Sequence, residues 1–220
     1  HGEPGSAEVH PPVVLGHEYA GVVAEVGEGV TGLQVGDHVT IDPNIYCGVC
    51  DACRNGKKQM CSHMEAVGVT MNGGFAEYSI VPAAQALRLH PDVPLEYGAM
   101  SEPLACCIHG IDRAEIKVGD TVCVVGGGAI GLLLVQLAKL SGAAKVVLSE
   151  PNAIRREKAR QLGADLCIDP LSENSFAEYL KFVGGEGADV VIECAGNRAA
   201  VESAFRFVKR GATILLFSVP

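Results

Sequence analysis

Positive charge is scarce in this 220-residue chain: 17 Lys and Arg stand against 26 Asp and Glu, a formal net charge of −9. That balance excludes nucleic acid or an anionic membrane as the main partner, because both demand a basic footprint. Long apolar spans are missing too. Thr121–Ala138 carries no charge over 18 residues, but Gly126-Gly127-Gly128 interrupts it. A buried strand, a turn and a buried helix explain it better than a membrane span. Solenoid repeats and low-complexity tracts are absent, and 48% hydrophobic residues exclude disorder. No secretory segment accompanies the nine cysteines, which predicts a reducing, cytoplasmic setting where thiols are metal ligands or buried apolar groups. An initiator methionine is also lacking, so the sequence reads as trimmed at both ends.

Four cysteines are the most informative feature present. Cys47, Cys50, Cys53 and Cys61 follow the spacing C-x2-C-x2-C-x7-C. Two-residue gaps let neighbouring thiolates turn inward on a tight loop, and the fourth closes a tetrahedron suited to a structural zinc. Gly48, Asn55 and Gly56 supply the loose backbone such a knuckle needs.

Around this lobe, residues 1–100 read as short strands between Gly and Pro turns, among them 21–26, 37–41 and 75–80. The imperfect alternation suits a small irregular barrel. From Pro94 the period changes. A helix is expected over 95–114, with Ser101 capping before Glu102. Apolar strands at 122–125, 145–148, 166–168, 190–193 and 213–217 then alternate with amphipathic helices at 130–140, 152–162, 175–183 and 198–208. That repetition predicts a doubly wound parallel sheet, hence an α/β chain with domains at 1–100 (zinc lobe 44–63) and 101–220.

Gly126-Gly127-Gly128-Ala129-Ile130-Gly131 matches G-x-G-x-x-G at the strand-to-helix turn where a dinucleotide-binding unit needs it. Gly126 would make the turn, Gly128 would admit the pyrophosphate, and Gly131 would let helix and strand pack closely. Glu150 ends the next strand, placed to accept a ribose 2′-OH and repel a 2′-phosphate, which favours NAD over NADP. Arg155 and Arg156 keep NADP open, or equally line a solvated helix face.

Gly16-His17-Glu18 follows an apolar stretch, and Glu102 opens the linking helix. A histidine so placed is either a satisfied structural group or one member of a metal pair. Gly16-His17-Glu18-x2-Gly21-x5-Gly27-x2-Val30, then the knuckle, then the glycine fingerprint, resembles the zinc-dependent medium-chain dehydrogenase/reductase family over essentially the whole chain. Ser101-Glu102-Pro103-Leu104 resembles its polyol branch of sorbitol, iditol, xylitol and threonine dehydrogenases. The resemblance implies a GroES-like catalytic domain followed by a Rossmann domain. It implies reversible oxidation of a small secondary alcohol or polyol to a ketone with NAD, and a homo-oligomer, dimer or tetramer. It also implies a second, catalytic zinc held by His17, by a cysteine upstream of His1 and by a nearby acid, either Glu18 or Glu102, the latter directly or through water. Cys106, one helical turn after Glu102, is a poor substitute. Further cofactor contacts are implied at Ala129, Ile130, Arg155, Cys194, Ala195, Phe217 and Val219, and the fragment alone is expected to have little activity. The alternatives are an NAD-sensing module without turnover, or a metal-independent enone or quinone reductase; the knuckle and Gly-His-Glu weigh against the latter.

Overall fold

The computed structural model describes residues 9–218. The chain divides into two compact units, His1–Pro103 and Leu104–Pro220.

In the first unit, β1 (Ala20–Val22), β2 (His38–Ile41), β3 (Asn44–Ile45), α1 (Asp51–Arg54), β4 (Glu65–Ala66), β5 (Ala86–Arg88) and α2 (Leu95–Gly98) follow in order. A three-stranded antiparallel sheet runs β1–β2–β5, with Ala20 opposite Thr40 and Thr40 opposite Leu87. Val39, Thr40 and Ile41 are buried at its centre. β3 and β4 form a separate two-stranded ribbon, and the knuckle is the excursion between them.

Three expectations fail here, the first being the strand over 21–26, which stops at Val22. The segment 75–80 is not a strand. Among the described residues its amides pair only as far as Phe75, which donates to the Leu15 carbonyl at 2.9 Å. Phe75, Tyr78 and Ile80 stand 81%, 77% and 94% exposed. Period-two alternation makes a strand only where a partner edge exists, and none meets this segment among the described residues. The helix expected over 95–114 is split into α2 and α3 (Ser101–Ala114), and Ser101 is its first helical residue. Met100 N–H reaches back only three residues, to Tyr97 O at 3.1 Å. Pro103 has no N–H to donate to the Ala99 carbonyl, so one continuous helix was never available.

The second unit adds β6 (Thr121–Val125), α4 (Ala129–Leu140), β7 (Lys145–Ser149), α5 (Ala153–Gln161), β8 (Leu166–Ile168), α6 (Ser175–Val183), β9 (Ala188–Glu193), α7 (Arg198–Phe207) and β10 (Val208–Leu216). Its strands are all parallel, in the order β10–β9–β6–β7–β8. Successive side chains of a strand face opposite ways, and both ways lead into apolar layers. Val122, Val124, Val146, Leu148 and Ile192 join Leu134, Val135 and Ala138 of α4 and Cys107 and Ile111 of α3. Cys123, Val125, Val147 and Val191 join Tyr179, Ala204 and Phe207 on the other face. Each fully buried aliphatic side chain contributes roughly 1.5–3 kcal/mol, which is why these strands read as apolar runs. Asn152 caps α5 by accepting the Ile154 and Arg155 amides at 2.9 and 3.2 Å, and Asn197 caps α7 through the Ala200 amide at 3.0 Å. The chain winds β6–β7–β8 one way and then returns to β9 and β10, so the strand order reverses between β6 and β9. Ligands of open α/β sheets sit outside the carboxyl ends at such a point.

Candidate metal and cofactor sites

The Sγ atoms of Cys47, Cys50, Cys53 and Cys61 lie within 4.8 Å of one another. A tetrahedral zinc with Zn–S bonds near 2.3 Å separates its sulfurs by about 3.8 Å, and Cys50 Sγ stands 3.9 Å from Cys61 Sγ. The donor set therefore fits zinc. Main-chain N–H groups already serve the sulfurs: those of Cys47 and His63 donate to Cys61 at 3.4 Å, and that of Cys50 donates to Cys47 at 3.4 Å. Backbone hydrogen bonds from Cys53 and Ser62 hold the Cys50 thiol down, to about 5. Cys61 is likewise lowered, chiefly by the Cys47 N–H, whereas desolvation pushes Cys53 up. Gly48 and Gly56 take positive φ values of 72° and 75° in the turns between ligands.

A second cluster forms within the first unit from residues far apart in sequence. Ligand atoms of His17, Glu18 and Glu102 also lie within 4.8 Å of one another, His17 and Glu102 half-buried and Glu18 exposed. One nitrogen and two carboxylate oxygens suit zinc and leave a coordination position over. The segment carrying His17 is clamped by glycines. Gly16 has φ +102°. A Cβ on Gly68 would lie 2.0 Å from the Gly16 carbonyl oxygen, and one on Gly73 would lie 2.2 Å from it. The amides of Gly73, Gly74 and Phe75 donate to Val14, Gly16 and Leu15 at 2.7–2.9 Å, and Asn72 Oδ1 takes the Val14 amide at 2.9 Å. Sequence reading passed over this support, although Asn72-Gly73-Gly74 was its visible signal.

In the second unit the glycine turn sits at the reversal point. Gly126 has φ +107°. A Cβ on Gly131 would come within 1.9 Å of the Gly126 carbonyl oxygen, whereas one on Gly128 would meet open space. The turn thus needs glycine at two positions for its own packing, and the third leaves room above the backbone. The first turn of α4 begins with Gly128 as an N-cap that has no side-chain partner, so its N–H groups are available to an anion. Glu150, only 4% exposed, accepts the Gly127 N–H at 2.7 Å and the Asn152 N–H at 2.8 Å. Arg155 Nη1 stands 3.8 Å from Glu150 Oε2. Arg156 points elsewhere, bonding the Glu150 and Pro151 carbonyls and Asp169 at 2.8, 2.6 and 3.1 Å.

The remaining predicted positions differ in character. Ala129 and Ala195 are exposed, and Ile130 is half-buried. The Cys194 thiol is pushed up to about 12 by burial and by the neighbouring Glu193 carboxylate. Its S–H therefore stays protonated and reaches the Val125 and Gly126 carbonyls at 3.3 and 3.4 Å. The Phe217 ring packs on Gly110, where an added Cβ would meet it at 2.8 Å. Val219 lies outside the described residues.

A GroES-like unit, a doubly wound nucleotide-type sheet and a four-thiol lobe together define a class, and comparison with known proteins names it. Residues 1–91 match the alcohol dehydrogenase GroES-like domain and residues 129–220 match the zinc-binding dehydrogenase model. L-threonine 3-dehydrogenase of Pyrococcus abyssi is 38% identical over 97% of this chain and 61% of its own length. Sorbitol dehydrogenase of Halalkalibacterium halodurans is 38% identical over 98% of this chain and 64% of its own. A zinc-binding dehydrogenase of Sinorhizobium meliloti 1021, solved with NADP, superposes with a TM-score of 0.90 at 42% identity, covering 96% of this chain and 62% of that one. The chain belongs to the zinc-dependent medium-chain dehydrogenase family. It spans about three fifths of the length of the relatives it matches. No helix among the described residues is long and apolar enough to cross a membrane.

Proposed function

We propose that the protein, at the length of its relatives, reversibly oxidises a secondary alcohol of a polyol or similar small hydroxy compound to a ketone with NAD. The observation that carries this reading is the gathering of His17, Glu18 and Glu102, 85 positions apart at the extremes, into one set of ligand atoms. A zinc ion held there would supply Lewis acidity that lowers the pKa of a substrate hydroxyl. His17 would fix the ion, and the two carboxylates would offset its charge. In the second unit Gly126, Gly128, Ala129, Ile130 and Gly131 would hold the pyrophosphate of the dinucleotide. Glu150 would take the adenosine ribose, with Arg155 beside it and Cys194, Ala195 and Phe217 beyond. Glu150 favours NAD, since a 2′-phosphate would meet a buried carboxylate. Cys47, Cys50, Cys53 and Cys61 would hold a structural zinc. A cytoplasmic homo-oligomer is part of the same reading.

Zinc analysis of the protein at the length of its relatives, with a panel of alcohols followed by NADH absorbance, tests it. Two zincs per chain and turnover of polyols, lost on full zinc removal, are expected. Undiminished turnover after zinc removal defeats the proposal, and one zinc with NAD binding but no turnover favours a sensing module. The 220-residue chain alone is expected to bind NADH weakly and to turn over little. For that chain, E150A should weaken NADH binding by about tenfold and narrow the preference over NADPH.

A further inference from the structure

Glu193 is fully buried at the end of β9, an interior strand beside the reversal point. It is one of the largest side chains with no exposure at all, yet it is not placed to meet a ligand. Its Oε1 accepts the N–H groups of Ala195 and Gly196 at 2.8 and 2.9 Å. Its Oε2 accepts the hydroxyl of Ser218, just past β10. Its own carbonyl takes the Phe217 and Ser218 amides at 2.9 and 3.3 Å. One carboxylate thus ties the exit of β9 to the exit of β10. An acceptor buried this deeply is kept because several donors need it; without it those N–H groups would be left unsatisfied.

The tie reaches the glycine turn. A Cβ built on Gly126 would lie 3.0 Å from both the Cβ and the N of Ala195, so the loop that Glu193 holds is in contact with the turn. On the opposite flank Glu150 holds Gly127 N–H directly. We propose that Glu193 is a positioning residue for the dinucleotide: with Glu150 it braces the Gly126–Gly131 turn from both sides, so the N–H groups stand ready before the cofactor arrives. Preorganisation of this kind shows as affinity, because binding no longer has to order the loop. The inference rests on the dinucleotide-binding reading above only for its consequence in binding; the brace itself is a property of the free chain.

The experiment uses the 220-residue chain as native protein and as E193Q, E193A and S218A. Amide hydrogen exchange is measured without cofactor, and NADH affinity by fluorescence titration. E193A should speed exchange in peptides covering 126–131 and 194–196 by about tenfold, leaving 145–168 unchanged. It should weaken NADH binding by about tenfold. E193Q should stay near native in both, because its amide oxygen can accept both N–H groups and its NH2 can donate to Ser218 Oγ. Native exchange in the 126–131 peptides of E193A overturns the proposal, as does an E193Q chain as impaired as E193A. Should E193A fail to fold, S218A removes one donor alone and should speed exchange at 194–196 by about threefold; no change there overturns it. Native chain that shows the exchange pattern with E193A yet never binds NADH supports the brace and overturns the dinucleotide reading instead.

Discussion

The four-thiol lobe and the His17 cluster are both sets of convergent donors, but they are built in opposite ways. The lobe draws all its ligands from 15 consecutive residues, Cys47 to Cys61, with a four-residue helix and two positive-φ glycines doing the turning. The His17 cluster joins Gly16-His17-Glu18 to Glu102 and depends on a third segment, Gly68 to Phe75, that supplies no donor. In the first case the chelate spacing is the structure. In the second the donors are only as good as the backbone packed behind them.

That difference sets an order of consequences. The largest effect should come from C53S, which removes the buried member of the lobe. Zinc content by mass spectrometry should fall by one equivalent per chain, and proteolysis should open the 44–63 segment, because closed zinc sites contribute folding energy outright. Retention of that zinc would show the lobe tolerates a missing ligand, and the contrast would lose its basis. Next, G68A places a Cβ 2.0 Å from the Gly16 carbonyl oxygen at a φ of +78°. Denaturant unfolding of the first unit should show a loss of roughly 3 kcal/mol, although Gly68 supplies no ligand atom. H17A should do the reverse: metal at the second site is lost while the melting temperature moves by less than about 2 °C. A large loss of stability in H17A would mean the histidine is a packing residue.

An ordinary ion pair supplies the smallest effect and a baseline. Burial pushes the Asp189 carboxyl up, but the Lys209 ammonium beside it and the Thr121 N–H at 2.8 Å outweigh that, leaving it below the ordinary carboxylate value. Stability from Asp189 is therefore present above that ordinary value and is lost as pH falls through its lower folded value. D189N should flatten the acid limb of the stability–pH curve below about pH 4. A wild-type acid limb unchanged by D189N would remove Asp189 from the account.

Legibility followed the same division. The second unit was readable because its inner strands β6, β7 and β9 are apolar runs buried on both faces, with helical periods between them. Leu166–Ile168 and Ser175–Val183 fall where the pattern puts them, and Asn152 proves to be the cap of α5 rather than its first residue. The knuckle was readable from spacing alone. The segment 75–80 misled because alternation says nothing about whether an edge is there to pair with. The break between α2 and α3 was written in Pro103 and was outweighed by helical periodicity. The support under His17 escaped because glycines at 68, 73 and 74 show their purpose only when another backbone lies against them. Glu193 escaped because an acid at a strand end looks like a solvated one until its three donors are seen.

The Gly16 carbonyl oxygen, wedged between Gly68 and Gly73, has a consequence for anyone wishing to retune this protein. Its carrier loop has no slack, so variation at positions 16, 68 and 73 will be selected against before metal preference is ever sampled. New chemistry here is reachable by exchanging the side chains at 17, 18 and 102, while the track that presents them stays as it is.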